Sequence, residues 1–245
     1  MVASLSEYAP DIETSSEAYR LRFSGQLGDY FLDVQNSLIE EFISRGNYIT
    51  ETVLEVGGGH GQLLPMLLGL GVAVCVHGSS EQCFKSIKHL VGGVSSPLDK
   101  VVSPLNRLPF ADDKFDVVVS VRTLAHAPDW EMLLAEMCRV AKRRVIFDYP
   151  PLWSFNITYP IFFRLKKLIE GDTRPFKRFS TAELRGILAS HGFANVEVGR
   201  EFFLPMALHR FLGMPKLSRF VENAFKALGL TGLLGSPAII CATRE

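Results

Sequence analysis

The sequence predicts an α/β domain in which a mostly parallel sheet is covered by helices on both faces. Three features carry this expectation. Strand-like and helix-like hydrophobic periods alternate through the middle of the chain. The continuous valines of residues 115–121 call for cover on both sides, as a parallel sheet receives. A glycine cluster, Gly57 to Gly61, separates the first strand pattern from the first helix pattern.

Taken in order, residues 52–56 form a short β-branched and apolar strand that runs into the glycines. Residues 62–70 are rich in Leu and Met, with Pro65 in the first turn and Gly69 and Gly71 at the stop, so they predict a helix. Residues 72–76 predict a strand. Residues 80–90 follow as a helix opened by Ser79 or Ser80, and 100–102 as a brief third strand. After the 115–121 strand, residues 130–140 predict a helix capped by Asp129, with Leu133, Leu134, Met137 and Val140 facing inward. Residues 144–147 give a fifth strand. Ser180 with Glu183 makes a capping box for a helix over 180–191, ended by Gly192. Residues 196–203 and 238–243 predict the last two strands.

The chain of 245 residues, 47% hydrophobic, suits one domain with an ample core. Residues 1–47 read as an N-terminal helical cap, and 150–178 and 204–234 as insertions that form a substrate lid. Disorder is expected only in the first dozen or so positions, where Ser, Glu and Thr crowd around Pro10. Twenty-six basic residues balance 26 acidic ones, which argues against a general nucleic-acid binder. Cys75, Cys83, Cys138 and Cys241 show no Cys-x-x-Cys pair or metal-ligand spacing, so reduced thiols and no metal site are expected. No signal-like or membrane-spanning stretch is seen, and the chain reads as soluble and cytoplasmic.

The glycine turn carries the chemistry. Glycines between a strand and a helix allow positive φ and close approach of a ligand to the backbone. The free N–H groups at the next helix start favour an anionic group. The spacing is Gly-x-Gly-x-Gly, not the dinucleotide Gly-x-Gly-x-x-Gly, and tight turns need glycine for geometry alone, so the context of strand and helix matters.

Glu55-Val-Gly-Gly-Gly-His-Gly61 resembles motif I of the class I S-adenosylmethionine-dependent methyltransferases. Leu108-Pro-Phe-Ala-Asp-Asp-Lys-Phe-Asp-Val-Val119, Leu124-Ala-His-Ala-Pro-Asp129 and Glu136-Met-Cys-Arg-Val140 are similar to the segments around the family's fourth strand. Phe179-Ser-Thr-Ala-Glu-Leu184 with His191-Gly-Phe193 resembles its late helix. The likeness implies a Rossmann-like, seven-stranded sheet and S-adenosyl-L-methionine as cofactor. It places Gly57, Gly58, Gly59, His60 and Gly61 under the methionine moiety, with Glu55 holding the loop amides or the ligand's amino group. His77, Gly78 and Ser79 fall at the ribose, Asn106, Arg107, Leu108 and Val121 near the adenine, and Arg22 with Tyr19 and Phe23 on an N-terminal lid. An amphipathic helix packed on the sheet explains that lid almost as well.

Two positions depart from the family pattern. Gly78 stands where an acid usually accepts both ribose hydroxyls, and Pro104 where an Asp often faces the adenine. Each lost charged hydrogen bond costs about 1.5–3 kcal/mol of affinity.

The carboxyl ends of the strands bring Arg122, Thr123 and His126 near the cofactor, with Asp148 and Tyr149 beyond the fifth strand. His126 and Asp148 are the candidate general bases, with Tyr149 orienting, although packing at a helix start explains His126 better than a base role does. The insertions mix aromatic residues (Trp153, Phe162, Phe211, Phe220) with Arg164, Lys166, Arg210 and Lys216. That mixture suits an apolar or lipid-like substrate, a peripheral membrane contact or a homodimer face. The expected function is methyl transfer to a small, hydrophobic acceptor. The alternative is a catalytically degenerate domain serving as a binding or assembly module.

Overall fold

The computed structural model describes residues 9–45, 49–87, 98–154 and 176–244. Seven strands form one sheet: β1 (Thr52–Val56), β2 (Ala73–Gly78), β3 (Leu98–Val102), β4 (Phe115–Ser120), β5 (Ala141–Tyr149), β6 (Asn195–Arg200) and β7 (Ala238–Thr243). Their order across the sheet is β3-β2-β1-β4-β5-β7-β6, and β7 alone runs antiparallel to its neighbours. The chain crosses from β3 back to β4, which pairs with β1, so the topological switch point lies between β1 and β4. Ligands of open α/β sheets bind at that crevice, outside the carboxyl ends of the strands.

Helices cover both faces. On one side α3 (Gly25–Ser44) and α4 (Leu64–Gly69) bury Ile39, Phe42, Ile43, Leu64 and Leu67 against Val53, Val74, Val117, Val119, Ile146 and Ile239. On the other, α5 (Trp130–Val140) and α6 (Thr181–Ser190) pack Leu133, Leu134, Met137, Leu184 and Leu188 on Leu54, Val118, Val145, Phe147 and Ile240. Alternate residues of each strand therefore enter opposite layers, and β4 is buried along its whole length. The C-terminal excursion between β6 and β7 is helical: α7 (Met206–Leu212), α8 (Pro215–Ala227) and α9 (Leu230–Leu234). Two short helices, α1 (Pro10–Thr14) and α2 (Glu17–Leu21), precede α3.

Buried polar ties lock the frame. Arg144 donates to the carbonyls of Phe42 and Ile43 (3.0 and 2.8 Å), satisfying the last turn of α3. Arg139 clamps the loop before β4 through the carbonyls of Leu108 and Phe110, while Glu136 accepts the Leu108 N–H at 2.7 Å. The segments that resemble the methyltransferase family thus include a physical tie between loop and helix. Asp116 accepts the N–H groups of Glu51 and Thr52, which holds its carboxyl below the usual range against the cost of burial.

Several expectations change. The 80–90 helix is a 3-10 segment over Glu81–Ile87, wedged between the glycine turn and α1, and its positions 88–90 lie outside the described residues. Neither Asp129 nor Ser180 caps its helix by a side-chain hydrogen bond, because Asp129 instead accepts from Asn106 at 3.2 Å. The last strand before the C-terminal helices stops at Arg200 rather than Phe203, since β7 pairs no further along it. Of the N-terminal dozen where disorder is expected, residues 9–12 are structured, with Asp11 fully buried, and residues 1–8 lie outside the described residues. Residues 155–175 of the first expected insertion lie outside the described residues. All four cysteines are free and buried, which pushes their thiols up to about 11 or 12 and leaves no reactive thiolate. Among the described residues no helix is long and apolar enough to cross a membrane, and no His, Cys, Asp or Glu cluster suits a metal ion.

Candidate functional site

The site is built at the switch point. β1 ends at Val56, and Gly57 turns the chain at φ 71°, a left-handed conformation that glycine adopts without a Cβ penalty. A 3-10 turn over Gly58–His60 follows, closed by Gly61 at φ 70°. The turn is tightly backed: a Cβ on Gly57 would lie 2.5 Å from Thr123 Oγ1, on Gly58 2.3 Å from the Glu55 side chain, and on Gly59 2.3 Å from the Cys83 carbonyl. The glycines are therefore required by the chain's own packing as well as by any ligand.

Beneath this turn lies Glu55. It is fully buried, and neither carboxylate oxygen has a hydrogen-bond partner among the described residues. Burial alone pushes its carboxyl up to about 8. The expected bond from Glu55 to the loop amides is not made. A buried carboxylate left open in this way is rare unless something else completes it. Next to it, His60 accepts the Gln62 N–H on Nδ1 at 3.1 Å, and burial, with Arg122 nearby, pushes its imidazole down to about 3.

At the end of β2, beside Gly78, a carboxylate arrives from another part of the chain. Gly78 is tightly enclosed, since a Cβ there would meet Cys83 Cβ at 3.0 Å and the Phe84 ring at 3.2 Å, so these side chains would have to shift to admit one. The buried Asp11 of α1 reaches this point, accepting the Ser79 N–H and hydroxyl, each at 2.6 Å, and the Cys83 thiol at 3.2 Å. Ser86 donates to the Ser15 carbonyl at 2.8 Å, so α1 is fastened over the corner at both ends. His77 shares Nε2 with the carbonyl and hydroxyl of Ser103, and burial pushes it down to about 4.

Beyond β4 the chain kinks at Arg122, one of two non-glycine residues with positive φ among those described. Its N–H donates to Asp148 at 2.6 Å and its guanidinium donates to Gln35 at 2.6 Å while lying 3.7 Å over the Phe23 ring. Asp148 is half-buried and its carboxyl is raised, chiefly by desolvation, although Arg122 opposes the shift. Glu201, just past β6, completes the group. It is 5% exposed, neither oxygen has a partner among the described residues, and burial pushes it up to about 8.

The structure thus gathers Glu55, Gly57, Gly58, Gly59, His60, Gly61, Arg122, Thr123 and Asp148 around one corner, with His77, Gly78 and Ser79 on its β2 side. It does not bring in every candidate. Tyr149 points into the α5–α6 layer, where its hydroxyl meets Thr181 at 2.7 Å, because successive strand residues face opposite sides. Arg22 is exposed and packs on Tyr19, so Phe23 is the N-terminal residue that reaches Arg122. Asn106, Arg107 and Leu108 sit on the loop after β3, with Leu108 buried in the α5–α6 layer, whereas Val121 is buried in the layer on the opposite face of the sheet. His126 lies in the turn over Leu124–His126, its ring edge-on to Phe176 at 6.5 Å. Sequence reasoning missed Asp11, Gln35 and Glu201. For Glu201 the one signal was an acid immediately before the apolar run of residues 202–206.

Residues 54–147 match the model of a methyltransferase domain family. The fold is that of a class I methyltransferase. Solved methyltransferases share this architecture along most of their length. The magnesium protoporphyrin IX methyltransferase of Synechocystis, solved with bound S-adenosylhomocysteine, aligns at a TM-score of 0.63 and 17% identity, over 94% of each chain. A putative methyltransferase of Haloferax volcanii, in complex with a methyltransferase activator, aligns at 0.61 and 18%, over 94% of this chain and 95% of that one. The phosphoethanolamine N-methyltransferase 2 of Haemonchus contortus aligns at 0.58 and 16%, over 86% of this chain and 52% of that one. No curated protein matches the sequence. In this methyltransferase fold the glycine corner and the open Glu55 carboxylate fall at the switch point between β1 and β4.

Proposed function

We propose that this chain binds S-adenosylmethionine at the glycine corner and transfers its methyl group to a small acceptor carried on an apolar body. One observation carries the reading: Glu55 is buried with both oxygens open directly under a left-handed glycine turn. An ammonium group supplies the donors that such a carboxylate lacks, and the amino acid end of the cofactor carries one. The residues fit the group at this end. When bound, the cofactor supplies an electrophilic methyl on a sulfonium. The chain's own part is to hold the amino acid end through Glu55 and the Gly57–Gly61 backbone, and to present the acceptor in line with it. The aromatic cluster of Phe23, Phe31 and Phe202 packed beside Arg122 gives this end of the corner an apolar surrounding, which is what favours a hydrophobic acceptor.

A specific observation favours a second reading, a binding or assembly module that does not turn over. Asp11 already spends its carboxylate on Ser79 and Cys83, and α1 covers the ribose side of the corner. Calorimetric titration with S-adenosylmethionine and S-adenosylhomocysteine separates the two, using wild-type protein and Asp11→Ala. Heat with the wild type supports the transferase. Heat only with Asp11→Ala identifies a competent corner sealed by α1. No heat from either at millimolar ligand leaves the binding module.

A further inference from the structure

The groups around Glu201 are incomplete in a complementary way. Glu201 offers two acceptor oxygens without a donor, while Arg122 Nε and Gln35 Nε2 are buried donors without an acceptor. Arg122 is held from both sides, by Asp148 on its backbone N–H and by Gln35 on its guanidinium, so its position is set before any ligand arrives. The same arginine influences both His60 in the glycine corner and Glu201 past β6, so the cluster adjoins the place where the methyl group would be presented. Arg122 lies over the Phe23 ring, which belongs to a buried aromatic cluster with Tyr30, Phe31 and Phe202.

We propose, resting on the transferase reading above, that Glu201, Arg122 and Gln35 form the acceptor subsite, that it takes a phenol-like hydroxyl, and that Glu201 receives the hydroxyl proton. The open valences decide the class. A hydroxyl donates to Glu201 and accepts from Arg122 or Gln35 through a single oxygen. An ammonium donates only, and faces the Arg122 cation. A carboxylate accepts only, and faces Glu201 and Asp148. The aromatic cluster suits a ring behind the hydroxyl. In the transfer the acceptor oxygen forms a bond to the methyl carbon as the sulfur–carbon bond breaks, leaving a neutral thioether. The positive charge lost at sulfur leaves as the hydroxyl proton, taken by the Glu201 carboxylate. Burial raises the proton affinity of that carboxylate to about 8, with Arg122 opposing the effect and Asp148 adding to it, so turnover through it is expected to rise as the pH climbs through 8 and the carboxyl ionises.

The test uses the full chain saturated with S-adenosylhomocysteine, with phenol, benzylamine and benzoate as probes that share one phenyl ring. Ligand-observed NMR and calorimetry are expected to show phenol binding and neither of the others. Glu201→Leu is expected to weaken phenol at least tenfold while S-adenosylhomocysteine affinity and the thermal midpoint hold or improve, since an unpartnered buried acid has been removed. Glu201→Gln retains an acceptor oxygen but not a base, so with S-adenosylmethionine and phenol KM is expected to stay within threefold while kcat falls about a hundredfold. Unchanged phenol binding in Glu201→Leu, tighter binding of benzylamine or benzoate, or wild-type turnover in Glu201→Gln overturns the assignment and leaves the cofactor reading intact. Absence of S-adenosylhomocysteine heat in both the wild type and Asp11→Ala refutes the cofactor reading, and the acceptor role falls with it.

Discussion

Glu201 and Glu222 are equally buried, each 5% exposed, and they lie in neighbouring parts of the C-terminal third, yet their surroundings are opposite. Glu222 uses both oxygens: one accepts the Phe203 N–H at 2.8 Å, the other the Leu204 N–H and His209 Nε2, each at 2.9 Å. His209 passes the chain on to Ser218 at 2.9 Å through Nδ1. The set has the residue types of a hydrolytic triad, but the serine is 1% exposed and a structural tie is all it can be. It pins α7 and α8 to the strand end that carries Glu201. The difference between the two acids separates a polar network that finishes the fold from one that the fold leaves open for a ligand.

The largest expected effect breaks the closed network. Glu222→Ala strands two backbone donors and His209 in the interior, and is expected to cost about 3–5 kcal/mol in denaturant unfolding. Removing either open acid should do nothing comparable. Equal losses for Glu222→Ala and Glu55→Gln would erase the distinction.

Next in size is the pH dependence of stability. Glu55 and Glu201 have folded values near 8, raised from 4.5, so the stability they contribute is whole below about 4.5 and declines as pH rises to about 8. His60 and His77 have folded values near 3 and 4, lowered from 6.5, so theirs is whole above about 6.5 and is lost as pH falls through those values. Thermal midpoints are expected to peak between about pH 5 and 6.5. Glu55→Gln or Glu201→Gln should flatten the alkaline limb, by up to roughly 1.4 kcal/mol per pKa unit of the shift removed.

A third prediction concerns binding. Glu55→Gln keeps the shape and removes the charge, so S-adenosylhomocysteine should weaken by roughly ten- to a hundredfold in calorimetry, about 1.5–3 kcal/mol for a charged hydrogen bond. The smallest effect belongs to Asp11→Ala, which frees α1: global stability should fall by about 1 kcal/mol, and limited proteolysis should begin within residues 9–24.

The sheet was legible because its signals are local. The valines of β4 fill buried positions on both faces, and the glycines after β1 occupy conformations and spaces that larger residues cannot. The motif segments around Leu108 and Arg139 were also readable, since their partners lie in one short stretch of chain. Half of the site was not. Asp11 meets Ser79 from a segment whose composition suggested disorder, and Gln35 meets Arg122 from the middle of an amphipathic helix. Glu201 looked like part of a strand, because only the arrival of β7 fixes where β6 ends. Tyr149 was the converse error of position, one residue past Asp148 and so on the other face.

The placing of β7 between β5 and β6 has a kinetic corollary. β6 has no other strand to pair with in the sheet, so Glu201 cannot be held beside Arg122 until residues 238–243 have slid into the gap. Such long-range pairing is among the slower steps of folding. During refolding from denaturant, the glycine corner should mature with the early β1–β4 unit, and the capacity to hold a second ligand should lag behind it.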